Sequence, residues 1–279
     1  MYDFTYLWVG IIGFGLLMYV LADGFDLGVG MLFPFASDEL ERDVMMNSVA
    51  PVWDGNETWL ILGGAGLLAA FPLVYTVFLP ALYIGVFLLL AGLIFRGIAF
   101  EFRFKASARN RYWWNAAFSI GSFVAAFAQG AVVGSYIQGF KTENMRYVGG
   151  AFDWLTPFTV MTGLGLVVGY ALLGATWLVL KTEGVLQERG RGWARKLLMA
   201  VMVFFVVVIL LQIVRRQINM SRPLTEEIAR FAFIWFILFG ACYATRLCAL
   251  NRVTLQFSRA PKWVGNLFLF IGDIIWLCF

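Results

Sequence analysis

Two pairs of acidic residues lie inside segments that are otherwise apolar enough to enter a membrane. Asp23 and Asp26 lie in DGFDLGVG, and Asp54 and Glu57 lie in PVWDGNETW. An ionisable side chain within a membrane helix costs at least about 2.5 to 3.5 kcal/mol, and such residues usually have a functional reason to be there. Two i, i+3 pairs on neighbouring helices therefore predict proton or cation handling.

The same acids also have a structural interpretation. Asp54 could be a first-turn residue stabilised by the helix dipole, and Asp23 or Asp26 could pair with Arg96 to lock a helix bundle. For Glu57, which lies near a helix start, we favour a structural role. Asp23 and Asp54 are the better candidates for proton transfer. A polar cluster in an aromatic frame, which a simple cap does not require, surrounds Asp54: Trp53, Gly55, Asn56 and Trp59.

The composition places these acids in a membrane protein. Hydrophobic residues make up 61% of the 279 residues and charged residues 14%, whereas about a quarter of the residues of a soluble domain are charged. Mean hydropathy is +0.81. We predict an all-α, polytopic transmembrane bundle that forms a single integral membrane domain over residues 1–279, arranged as two packed helical bundles.

Eight apolar runs have about the length of a membrane helix. They cover residues 4–35, 50–75, 77–99, 113–139, 157–180, 197–214, 230–250 and 262–279. The first run is long enough to tilt or to project from the bilayer. Because the chain is still apolar at Phe279, we expect that a natural C-terminal helix is missing from it.

The basic residues predict the orientation of the helices. Of the 21 lysines and arginines, 15 fall in the odd-numbered loops and 6 in the even-numbered ones. By the positive-inside rule the odd loops are cytoplasmic and the N-terminus is outside, so all four acids lie on the cytoplasmic side. A net charge of +4 fits the lipid surface and requires no nucleic-acid partner.

The chain contains no histidine, the usual side-chain ligand of haem and of transition metals. We therefore predict no metal site in this chain and assign any haem or copper centre to a partner. Cys242, Cys248 and Cys278 form no C-x-x-C pair, which predicts a packing role for them.

Glycine spacing predicts close helix packing. Gly24 and Gly28, and later Gly165 and Gly169, stand in G-x-x-x-G spacing, which lets membrane helices approach closely. The spacing leaves open whether they meet helices of this chain or of another subunit.

Several separated motifs resemble one family. LADGFDLGVGMLFPF and ERDVMMNSVAPVWDGNETWLILGGAGLLAAFPLVY are similar to the N-terminal signature of subunit II of the cytochrome bd-type quinol oxidases, including their cyanide-insensitive branch. FRGIAFEFR, residues 95–103, resembles the end of that family's third helix, and WNAAFSIGSF, residues 114–123, the start of its fourth. The resemblance covers about residues 1–200. Family members are usually longer and end with a further helix pair.

The resemblance implies the function and the partners. In this family subunit I carries haem b and haem d and the quinol site, and the complex reduces dioxygen to water with electrons from quinol. Subunit II ligates no haem. The resemblance further implies a structural quinone, a small single-helix accessory subunit, surrounding membrane lipids and a prokaryotic cytoplasmic (inner) membrane. Asp54 matches the aspartate of the family's W-D-G-N motif, which is associated with a proton route at the subunit interface.

The resulting hypothesis is a proton half-channel. Water enters near the basic third loop, and protons pass the region of Asp23, Asp26 and Glu57 to reach Asp54 at the face shared with subunit I. Other residues are expected to support the route or the interface: Trp53, Asn56, Trp59, Arg96, Glu101 and Arg103. Two alternatives remain, namely a purely structural scaffold subunit and a proton- or cation-coupled secondary transporter, which also places acids near the membrane midplane.

Overall fold

The computed structural model describes residues 4–217, with side chains as far as residue 210. This part of the chain forms seven α-helices, one 3₁₀ turn and one short hairpin. The elements are α1 (Thr5–Leu32), the 3₁₀ turn (Phe33–Phe35), α2 (Glu39–Val49), α3 (Trp53–Ala70), α4 (Pro72–Arg103), α5 (Ala108–Gln138), β1 (Thr142–Glu143), β2 (Arg146–Tyr147), α6 (Pro157–Lys181) and α7 (Gly184–Gln217).

The all-α membrane fold predicted from the sequence is confirmed. The first six predicted apolar runs are helical, and five helices of the described residues are long and apolar enough to cross a membrane: α1, α4, α5, α6 and α7. The shorter α3 does not meet that test, since polar residues occupy its first turns. The predicted runs 230–250 and 262–279, with the three cysteines, lie outside the described residues.

Two boundaries differ from the prediction for local reasons. The second and third apolar runs separate at Phe71, because Pro72 begins α4 and proline fits the first position of a helix. The first predicted loop contains α2, an extra helix. Its N-cap residue Asp38 accepts a hydrogen bond from the Glu41 backbone N–H at 2.8 Å, which stabilises the helix start.

Of the described residues, 4–204 form one compact unit and 205–217 belong to a second. Within the first unit, α4 packs on α5, α5 on α6, α6 on α1, and α1 on α3. Its core contains Leu27 of α1, Leu93 of α4, Ala125 of α5 and Tyr170 of α6. Of the second unit, the described residues 205–217 are the end of α7. The arrangement in two packed bundles stays a prediction.

Facing glycines allow the core helices to touch backbone to backbone. A Cβ atom added to Gly28 of α1 would lie 2.6 Å from the Gly174 nitrogen of α6, and one added to Gly92 of α4 would lie 2.7 Å from the Gly121 carbonyl oxygen of α5. These distances leave no room for a side chain. Helix association in membranes depends on such close approach, because lipid gives no hydrophobic drive between helices.

Gly28→Ala is expected to lower stability by about 1 to 3 kcal/mol, the usual cost of overpacking a core. The matched control is Gly169→Ala, because a Cβ there has no atom of the described residues within 4 Å. Thermal inactivation of the detergent-solubilised protein, followed by fluorescence-detected size exclusion, measures both variants. Equal loss in the two variants would contradict the close α1–α6 contact.

Candidate functional site

Arg96 of α4 lies at the centre of the acidic region, and its side chain is fully buried. Its Nη1 donates to Asp23 Oδ1 at 2.6 Å, and its Nη2 donates to Glu57 Oε1. One cation therefore pairs with carboxylates of two other helices, α1 and α3. This arrangement matches the structural interpretation of Asp23, in which an ion pair locks the bundle.

Asp26 and Asn56 form a second contact beside this ion pair. The Asn56 side-chain N–H group donates to Asp26 Oδ2 at 2.8 Å and to the Ala22 carbonyl at 3.4 Å. Asp26 is only 1% exposed. The inner cluster, as we name it, is the set of five residues Asp23, Asp26, Asn56, Glu57 and Arg96, and the two acidic motifs supply four of its members.

The inner cluster holds three carboxyl groups and one cation. Three ionised carboxylates beside a single guanidinium would leave excess negative charge in a low-dielectric interior, which is costly. Three of its buried polar atoms have no hydrogen-bond partner among the described residues: Asp23 Oδ2, Asp26 Oδ1 and Arg96 Nε. Such atoms in native proteins usually bind ordered water. The cluster thus has the composition to take up and release a proton.

Asp54 lies outside the inner cluster. It is exposed, one helical turn before Glu57 on α3, and its charge is coupled electrostatically to that of Glu57. The Glu57 side chain is 23% exposed, so it stands between the buried ion pair and the surface. The opposite face of α3 is occupied, because Gly63 and Gly66 pack on α1. Asp54 therefore marks a face of α3 that the described residues leave open.

The aromatic neighbours of Asp54 fix α3 against two helices. Trp53 stacks on Phe100 of α4 with ring centroids 4.8 Å apart, and Trp59 meets Phe14 of α1 edge to face at 5.8 Å. Aromatic pairs in these geometries contribute about 0.5 to 1.5 kcal/mol beyond their buried area. The predicted aromatic frame is thus a packing frame that orients the W-D-G-N turn.

Arg103 and Glu101 lie apart from the inner cluster. Arg103 is fully buried, donates to Asp43 and to Glu39 at 2.9 Å, and its Nε donates to Asn115 at 2.6 Å. The arginine therefore ties α4 to α2 and α5. Glu101 is exposed and pairs only loosely with Lys105, at 3.5 Å.

The predicted glycine pairs have different surroundings. Gly24 lies against the Tyr170 ring, as a Cβ there would be 2.8 Å from Tyr170 Cε1, and Gly28 faces Gly174. Gly165 lies against the Phe204 ring, whereas a Cβ added to Gly169 would have no neighbouring atom within 4 Å among the described residues. The first G-x-x-x-G motif thus contacts a helix of this chain, and its partner glycine is Gly174.

Sequence reasoning missed two buried tyrosines near Asp23. Tyr19 of α1 and Tyr170 of α6 are both almost fully buried, and the Tyr170 ring lies against Gly24, the residue next to Asp23. Tyr19 lies one helical turn before Asp23, so the i, i+4 spacing could have identified it. Tyr170 is distant in sequence, and no local signal points to it.

The residues of this chain do not fit a haem. The sequence has no histidine, and the described residues contain no group of three or more His, Cys, Asp or Glu side chains that could hold a metal ion. The site consists of carboxyl, amide and guanidinium groups, all of which form hydrogen bonds, and its carboxyl groups can exchange protons.

A family model for cytochrome bd terminal oxidase subunit II matches residues 4–279. The chain belongs to this family. Among curated relatives, cytochrome bd-I ubiquinol oxidase subunit 2 of Escherichia coli K12 is 34% identical over 252 residues, which cover 84% of this chain and 66% of the relative. Cytochrome bd ubiquinol oxidase subunit 2 of Bacillus subtilis is 31% identical over 73% of this chain and 60% of its own length. The matches thus span less than two thirds of both relatives.

A solved structure shares the fold of this family member. A chain of the bd oxidase from Geobacillus thermodenitrificans superposes with a TM-score of 0.60 at 16% identity, covering 98% of this chain and 97% of that one. At this identity the likeness concerns the fold alone. It agrees with the helical membrane architecture derived from the residues.

Proposed function

We propose that this chain is subunit II of a membrane quinol:oxygen oxidoreductase, a terminal oxidase of the cytochrome bd type. The observation that carries the proposal is the family match over residues 4–279, together with relatives that are ubiquinol oxidase subunits. Its substrates are then quinol and dioxygen, and its location is a prokaryotic cytoplasmic membrane. The family match weighs against a secondary transporter.

Haem b and haem d belong, in this proposal, to partner subunit I. The absence of histidine supports that division, because the usual axial ligand of haem is missing here. The proposal retains a bound structural quinone and a small single-helix accessory subunit as further components of the complex. This chain contributes membrane helices and carboxyl groups.

The inner cluster and Asp54 form, we propose, a cytoplasmic proton route. Protons enter at the end of the bundle where α1 ends and α3 begins, exchange with the partly exposed Glu57 and the unpaired oxygens of Asp23 and Asp26, and leave through Asp54 toward subunit I. The exit at Asp54 is assigned from its exposure. Asp23 and Asp26 are buried, Glu57 is intermediate and Asp54 is exposed, so the last carboxyl group lies where a partner helix could receive a proton.

A scaffold role is the second candidate, and one observation favours it. Arg96 is paired with two carboxylates, and Arg103 likewise with two. Buried pairs of this kind are rigid and hold helices in register. On this interpretation the acids position α3 for subunit I without conducting protons.

Co-purification tests the proposed function. A tag on this chain should retain a histidine-bearing haem subunit, and the preparation should show haem absorption bands and quinol-dependent oxygen uptake. The matched control is the same tag on an unrelated polytopic membrane protein of the same cells. A colourless preparation without oxygen uptake would contradict the proposal.

A further inference from the structure

A groove of about 500 Å³ opens beside the N-terminus of α5. It lies between α5, α2 and the 3₁₀ turn, outside the inner cluster. Glu39 and Arg42 of α2 and Arg111 of α5 line its charged end, and the lining becomes apolar further along α5, through Asn115, Ala116 and Ile120. A groove with a cationic end and an apolar end fits an amphipathic ligand.

Arg111 gives the charged end an unbalanced positive charge. Its Nε is buried and has no hydrogen-bond partner among the described residues, which also offer it no carboxylate at ion-pair distance. The one acidic residue among those that line the groove, Glu39, already pairs with Arg42 and Arg103. Arg111 is therefore the cation of the groove that is available to a bound anion.

The N-terminus of α5 adds to this positive potential. Ala108, the first residue of the helix, lines the groove, and the N-cap residue Ser107 makes no side-chain cap hydrogen bond. First-turn backbone N–H groups and the helix dipole favour a phosphate at this position. The unbalanced charge of Arg111 and the start of α5 therefore favour the same anion.

Aromatic side chains indicate the depth of the groove in the membrane. Tyr112 and Trp113, next to Arg111, are 69% and 70% exposed, and such residues gather at the membrane–water interface. Ile120 is 62% exposed and lies nine residues further along α5, or about 13 Å at 1.5 Å per residue. The cationic end thus lies at headgroup level and the apolar end at acyl-chain level.

We propose that this groove binds one anionic phospholipid of the cytoplasmic leaflet. Arg111 and the first turn of α5 bind the headgroup phosphate, and Ala116 and Ile120 contact an acyl chain. The leaflet follows from the predicted orientation, in which the loop before α5 is cytoplasmic, and from the negative surface of that leaflet. The groove shares no residue with the inner cluster.

Native mass spectrometry of the delipidated complex, purified through a tag on this chain, tests the site. Phosphatidylglycerol and phosphatidylcholine with identical acyl chains are added separately. Phosphatidylglycerol should bind at least about fivefold more tightly, the effect expected of one basic side chain at an anionic surface. Arg111→Gln should abolish this preference, whereas Arg109→Gln, an exposed arginine that does not line the groove, should keep it.

A second variant tests the acyl end without removing charge. Ala116→Leu narrows the groove and should weaken both lipids. If Arg111→Gln does not accumulate in the cells, Ala116→Leu alone still tests the proposal. Unchanged phosphatidylglycerol affinity in Arg111→Gln, or in Ala116→Leu, would overturn the proposal. Displacement of the lipid by millimolar inorganic phosphate would also overturn it, since the site would then bind a small anion rather than a lipid.

Discussion

Arg96→Leu is expected to destabilise the helix bundle by about 3 to 5 kcal/mol, the usual cost of leaving a buried charge without its partner. The substitution removes the only cation of the inner cluster. It leaves the Asp23 carboxylate, whose side chain is 1% exposed, without its ion-pair partner. Glu57 is affected less, because 23% of its side chain reaches the surface. Thermal inactivation and the yield of monodisperse protein measure the effect.

Two further variants separate charge from packing at this site. Lys105→Leu removes the cation of an exposed pair at 3.5 Å, and exposed pairs contribute less than about 1 kcal/mol, so its stability should stay near that of the parent chain. The double variant Arg96→Leu with Asp23→Leu should recover part of the loss, because neither buried charge remains. A double variant no more stable than Arg96→Leu would show that the guanidinium acts by packing alone.

The sequence predicts which residues belong to the inner cluster better than it predicts which of them pair with each other. The i, i+3 spacing within DGFD and the polar segment WDGNE, residues 53–57, are local signals, and they identify four of the five members. Arg96 was identified as a possible partner of Asp23 or Asp26, and the structure pairs it with Asp23. The choice between the two aspartates depends on the rotation of α1 relative to α4, which no local pattern contains.

Other contacts depend on helices far apart in sequence. Tyr170 of α6 approaches Gly24 and Asp23 only because Gly28 and Gly174 let α1 and α6 touch. The sequence predicts a loop where the structure has α2, because this helix is short and amphiphilic. Its acidic side chains form ion pairs with Arg103 and Arg189, which are distant in sequence. Hydropathy therefore predicts the membrane helices, whereas glycine contacts and buried arginines determine their pairing.

The open face of α3 also bears on the proton route. Asp54 makes no hydrogen bond within the described residues, although the neighbouring Asn56 and Glu57 are engaged with α1 and α4. The N-cap residue of α3 is Val52, so Asp54 lies in the first turn of the helix and not at the capping position. An exposed, unpaired carboxyl group beside a buried acidic cluster is better suited to proton exchange than to capping.

Asp54→Asn is therefore expected to lower quinol-dependent oxygen uptake on the order of tenfold or more, the effect of removing a group that transfers protons. Asparagine has the size of aspartate but cannot carry the proton, and the side chain is exposed, so the bundle should keep its stability. Oxygen uptake and the haem absorption spectrum of the purified complex are measured together. The spectrum should be unchanged.

Glu188→Gln is the matched control, because Glu188 is an exposed carboxylate outside the inner cluster that pairs only with Arg191, and its loss should leave turnover unchanged. Three outcomes of Asp54→Asn separate the two roles of this chain. Slow turnover with intact haem bands supports the conduit. Unchanged turnover removes Asp54 from the proton route. Lost haem bands mean that Asp54 holds the subunits together, which makes the carboxylate a scaffold residue at the interface.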